Sequence, residues 1–73
     1  MIGTFYSRAE PGEDPYVHVG LTVKEGETVC VLEAMKLMNE VTATVNGEIV
    51  EVLVSDGDVI EYGQPLFRVK VGA

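Results

Sequence analysis

A shift of 37 residues lays one half of the chain over the other: Val17 falls on Val54, Gly20 on Gly57, Val23 on Ile60, Gly26 on Gly63, Val29 on Leu66 and Leu32 on Val69. Such a repeat marks a duplicated supersecondary unit, and a unit this short cannot bury an apolar face alone. The two halves must therefore share one core, and we expect two interlocked sets of short strands. The chain has 73 residues, which allows one small domain spanning 1–73. A domain of that size buries only about 60% of the surface its unfolded chain exposes, so function must sit on the rim.

Glycine punctuates the chain, and most of the intervals between glycines hold short apolar runs, the rhythm of strands and turns. Glu25-Gly26-Glu27, Asp56-Gly57-Asp58 and Gly63-Gln64-Pro65 read as turns. Asn46-Gly47 predicts a two-residue type I′ hairpin turn, because both residues tolerate positive φ. Thr42 to Val45 and Glu48 to Val54 are its expected arms, and Leu66 to Val71 alternates as a closing strand. Ser7 to Pro15 is polar and rich in proline and charge, and reads as an exposed loop.

Charge and composition exclude several functions. The chain is 47% apolar and 23% charged, the balance of a folded globular domain. Twelve acidic residues against five basic ones leave a net charge of −7, which disfavours a phosphate backbone, so no nucleic-acid partner is expected. No run approaches the roughly 20 apolar residues of a membrane span. Cys30 is the only cysteine, so no internal disulfide or cysteine metal site can form, and a reducing cytoplasm is expected. Cys30 reads as a small buried hydrophobe, and His18, without a companion at catalytic or metal spacing, as a structural histidine.

The segment Cys30 to Val41, CVLEAMKLMNEV, admits two structures. Helix propensity and period would place Val31, Ala34, Met35, Met38 and Val41 on one face and Glu33, Lys36 and Glu40 on the other. The repeat argues instead for strand, tight turn and strand, because its second copy, Leu66 to Lys70, reads as strand. Met35 and Lys36 would then lie at a tip where Gly, Asn or Asp is usual, and must be there for a reason other than turn chemistry.

Glu33-Ala34-Met35-Lys36-Leu37-Met38-Asn39-Glu40 resembles the biotin-attachment motif of biotinyl carrier domains. In that family an Ala-Met-Lys-Met tetrapeptide occupies an exposed hairpin tip, and its lysine receives biotin through an amide. Leu37 stands where the commonest pattern has methionine directly after the lysine, a substitution of similar volume and apolar character. Lipoyl domains share the fold but typically carry Asp-Lys-Ala, whereas Met35 precedes the lysine here, so the resemblance favours biotin over lipoate. Gly3-Thr4-Phe5-Tyr6, Val19-Gly20, Lys24 to Cys30 and Asn46-Gly47 extend the likeness to the carrier subunit of multi-subunit acetyl-CoA carboxylase. Ser7 to Pro15 resembles the protruding thumb of that subfamily.

The resemblance implies an all-β fold, a flattened barrel or sandwich of two four-stranded antiparallel sheets with pseudo-two-fold symmetry, and so predicts the hairpin over the helix. It implies covalent biotin on Lys36, attached by a biotin protein ligase. Met35 and Met38 are then either recognition surface or packed core, and Glu33 and Glu40 either orient partners or are merely solvated. The biotin would take a carboxyl group at the biotin carboxylase subunit and deliver it at the carboxyltransferase subunits, forming malonyl-CoA for fatty acid synthesis. In this scheme the domain is a carrier, not a catalyst, and holds no metal. A tethered cofactor meets each active site as an intramolecular partner.

Overall fold

Seven strands carry the chain in the computed structural model, which describes residues 2–10 and 12–72. They are β1 (Gly3–Tyr6), β2 (Thr22–Val23), β3 (Thr28–Ala34), β4 (Leu37–Thr42), β5 (Gly47–Val52), β6 (Val59–Ile60) and β7 (Phe67–Val71). They form two antiparallel sheets, one ordered β4-β3-β1-β6 and the other β2-β5-β7. No helix occurs among the described residues, and none is therefore long and apolar enough to cross a membrane.

Period-two patterning drives this arrangement. Phe5 on β1 and Ile49 on β5 point inward between exposed or half-buried neighbours, and together with Cys30 and Ile60 they are the most completely buried side chains. The rings of Phe5 and Phe67 meet edge to face at 6.0 Å and 61°, joining one sheet to the other across the core.

The 37-residue repeat reappears bond for bond. The N–H of Leu21 donates to the His18 carbonyl at 3.1 Å, and that of Asp58 to the Ser55 carbonyl at 3.0 Å. Glu27 donates to the Lys24 carbonyl as Gln64 does to Glu61, and in each turn the later side chain accepts the N–H of the earlier residue. The Gly20 and Gly57 amides, both at positive φ, donate to the carbonyls of Ile49 and Phe5, each at 2.8 Å. A turn from each half is thus bonded to the central region of the other half's sheet, which is the interlocking the repeat predicts.

The hairpin expected for Cys30 to Val41 forms in place of the helical alternative: β3 pairs with β1 on one side and β4 on the other, burying Val29, Cys30 and Val31, and these tertiary partners override propensity. Two expectations need correction. The Asn46-Gly47 hairpin is absent: neither residue has positive φ, residues 43–45 of the expected first arm form no strand, and β4 and β5 on either side lie in different sheets. β4 pairs with β3 and β5 with β7 instead. Asn46 instead accepts the Glu25 N–H on Oδ1 at 2.6 Å, and Gly47 passes so close to the Lys70 carbonyl that a Cβ there would overlap it. Finally, the second sheet has three strands among the described residues where four were expected, because β4 extends the first sheet beyond β3 and nothing equivalent lies beyond β7.

The loop from Ser7 to Pro15 leaves β1 and returns at Tyr16, whose N–H donates to the Ser7 carbonyl at 2.9 Å. Pro11, within it, lies outside the described residues, as do Met1 and Ala73 at the ends of the 1–73 domain.

Candidate functional site

The β3–β4 hairpin closes with Glu33 opposite Met38 and Ala34 opposite Leu37, leaving Met35 and Lys36 as the two turn residues. Their φ angles are 53° and 65°, the paired positive values a type I′ turn requires. Left-handed backbone costs an L-residue on the order of 1 kcal/mol, and strain of this kind concentrates where function demands it. β1 supports the hairpin to its last rungs: a Cβ on Gly3 would lie 2.8 Å from the Glu33 carbonyl oxygen.

Lys36 is exposed and makes no hydrogen bond or ion pair with the described residues. Around it the apolar side chains face water, Met35 at 92% exposure, Leu37 at 65% and Met38 at 52%. None of them is packed core, so of the two readings open for Met35 and Met38 the structure favours a surface role. Exposed apolar groups clustered at one point of a small domain mark a contact surface.

Beside the hairpin lies an open cleft of about 590 Å³. Tyr6, Glu33 and Met38 form its sheet side, Arg8, Ala9 and Glu10 its loop side, and Asp56 and Gly57 its base. The Tyr6 hydroxyl donates to Glu33 Oε1 at 3.4 Å. Glu40, on β4, is exposed. Cys30 is fully buried, and burial pushes its thiol up to about 11, so it stays protonated and unreactive at neutral pH. His18 is exposed, its Nδ1 3.0 Å from the Val19 carbonyl oxygen.

Tyr6 and Arg8 lie in segments that carry the resemblance but take no individual role from it, and Asp56 enters the site with no signal beyond its place in a turn. Asp56-Gly57-Asp58 reads as a turn and is one, with Gly57 at φ 90°, but nothing in it announces a bond to Ser7 across 49 positions.

Replacing Met35 with glycine should relieve the strained φ. The gain, less the greater entropy of glycine in the unfolded chain, is about 0.5 kcal/mol, a rise in Tm of roughly 2–4 °C. Thermal unfolding would check this, and a fall in Tm would show that the turn is not strained.

The arrangement offers an exposed primary amine on a two-residue turn, flanked by exposed Met35, Leu37 and Met38. A family profile described as biotin-requiring enzyme matches residues 1–69. The chain belongs to that family. Among curated relatives, it is 53% identical over 70 residues to the biotin carboxyl carrier protein of acetyl-CoA carboxylase from Nostoc sp., covering 96% of this chain and 38% of that protein. The protein of the same name from Pyropia yezoensis is also 53% identical, covering 96% and 44%, and that from Pseudomonas aeruginosa is 46% identical, covering 94% and 44%. The chain thus spans less than half the length of these relatives.

Proposed function

We propose that this domain is the biotin carboxyl carrier of an acetyl-CoA carboxylase, with biotin attached to Lys36. The observation that carries the reading is the tip itself, a free lysine held at positive φ between exposed Met35 and Leu37. Neither residue type suits a type I′ turn, so their presence there is explained by recognition. The relatives' names supply biotin as the group attached.

Lys36 fits the cofactor. It is exposed and no carboxylate of the described residues pairs with it, and a cleft within the usual size range of small-ligand sites opens two to three residues down the hairpin. In the attachment step, Nζ loses a proton and forms an amide with the biotin carboxyl group, which a biotin ligase has activated with ATP; AMP leaves. Once attached, biotin supplies a ureido nitrogen that accepts and gives up a carboxyl group. The chain's own part is to hold the arm on a projecting tip that the biotin carboxylase and carboxyltransferase subunits can each receive, Met35 and Met38 offering apolar contact to the ligase. We place this chemistry in a reducing cytoplasm, in line with the single buried thiol.

The fold accords with two halves related by a pseudo-two-fold axis that exchanges β2 with β6 and β3 with β7, the outer edge of β7 being where a fourth strand would add. The 7–15 loop is read as a thumb whose wall of the cleft limits the swing of the arm. A variant with residues 8–14 replaced by a short Gly-Ser link is expected to fold but to support less carboxyl transfer. Undiminished transfer by that variant would remove the loop from the mechanism. The primary test is the intact mass of the domain after incubation with biotin, ATP and a biotin ligase: one biotinyl increment is expected, and acceptance of lipoate from a lipoyl ligase in its place would overturn the reading.

A further inference from the structure

Residues 7–10 and 12–15 owe their shape to bonds among themselves. Glu13 donates its N–H to the Glu10 carbonyl at 3.2 Å, and Arg8 Nη1 reaches the Glu13 carbonyl at 3.0 Å, tying the outgoing limb to the returning one. Tyr16 closes the base on Ser7. None of these bonds orients the loop on the sheets. Among the described residues, the polar contacts that do so converge on one side chain. Asp56 Oδ1 accepts the Ser7 N–H at 2.8 Å, and Oδ2 lies 3.7 Å from Arg8 Nε.

Asp56 is itself held firmly. The Gly57 N–H donates to the carbonyl of buried Phe5, Phe5 donates its own N–H to the Asp58 carbonyl, and Asp58 Oδ2 accepts the Ser55 N–H, each at 2.8 Å. The turn is therefore fastened to β1 at the centre of the core, and Asp56 passes that rigidity to the loop. The Ser7 hydrogen bond, with the nearby Arg8 guanidinium, also holds its carboxyl below the usual carboxylate range. Arg8 Nε is buried without a hydrogen-bond partner, and the Asp56 carboxylate 3.7 Å away is the countercharge that faces it.

We infer that Asp56 is a positioning residue for the arm carried on Lys36: through Ser7 and Arg8 it fixes the 7–15 loop as one wall of the cleft. The inference rests on Lys36 as the attachment site. Its physical content is preorganisation, since a wall already in place does not have to be ordered each time the arm settles against it.

The test compares wild type with D56A, which removes both contacts, and D56N, which keeps an acceptor for Ser7 but loses the charge that faces Arg8. In the unmodified proteins, exchange of the Ser7 amide should be about tenfold faster in D56A than in wild type and intermediate in D56N. Backbone order at residues 8–14 should follow the same ranking. After biotinylation, the amide shifts that modification causes at Tyr6 and Gly57 in wild type should collapse in D56A, although intact mass shows equal biotin loading. Unchanged Ser7 exchange in both variants would overturn the clasp. Faster exchange with full retention of the Tyr6 and Gly57 shifts would reduce Asp56 to a structural residue. If wild type took up no biotin, the reading of Lys36 would fall, while the measurements on unmodified protein would still decide whether the clasp exists.

Discussion

Lys36→Arg is expected to abolish biotinylation while leaving the domain folded. Arginine keeps the positive charge and the long stem, and position 36 is exposed without a partner, so the stability change should stay within about ±0.5 kcal/mol. Chemically the two side chains differ completely, because the guanidinium stays protonated and cannot act as the acyl acceptor. Incubated with biotin, ATP and a biotin ligase, wild type should gain one biotinyl increment by intact mass and the variant none. Lys24 and Lys70 remain as internal controls. Lys70 lies in β7 and Lys24 at the edge of a glycine turn, and neither stands on a two-residue tip at positive φ. An increment that persists in the variant would move the attachment site elsewhere and remove the argument built on the hairpin.

Ile49→Ala should have the largest effect on stability. Ile49 is fully buried, its backbone bonds both Gly20 and Leu21, and its side chain lies in the core shared by the two sheets. Deleting a buried side chain of this size costs about 2–5 kcal/mol, the lost transfer energy plus the cavity left behind. For a chain of 73 residues the whole stability is on the order of 4–11 kcal/mol, so the variant should lose a large fraction of it. Urea unfolding would read this as a lowered midpoint at unchanged slope. Val50→Ala, at a position 38% exposed on the same strand, should cost much less. Equal midpoints for the two variants would show that the core does not pass through Ile49.

Much of this fold could be read from the sequence because the repeat is a pattern of apolar positions and turns, and both survive folding as local facts. Gly26, Gly57 and Gly63 each take the positive φ their turns require. Asn46-Gly47 misled because the same two residues satisfy a different need: Asn46 lends its side chain to Glu25, and Gly47 lets two strands approach. Local turn statistics cannot distinguish positive φ from close approach. The reverse failure occurs at Met35-Lys36, where the true two-residue turn is made from residues that disfavour it, and the repeat and the family motif pointed there rather than turn chemistry. Asp56 was beyond reach in a further sense, since its partners are set by the return of the chain after 49 positions and not by neighbours.

The crossed bonding of the two halves has a consequence for synthesis. Phe5 finds its backbone partners at Gly57 and Asp58, and Gly20 finds its partner at Ile49, so the first half of the chain waits for the second. The β3–β4 hairpin, although local, is marginal in water until β1 and the opposite sheet cover it. A nascent chain therefore holds Lys36 on its finished hairpin only after nearly all of the domain has left the ribosome.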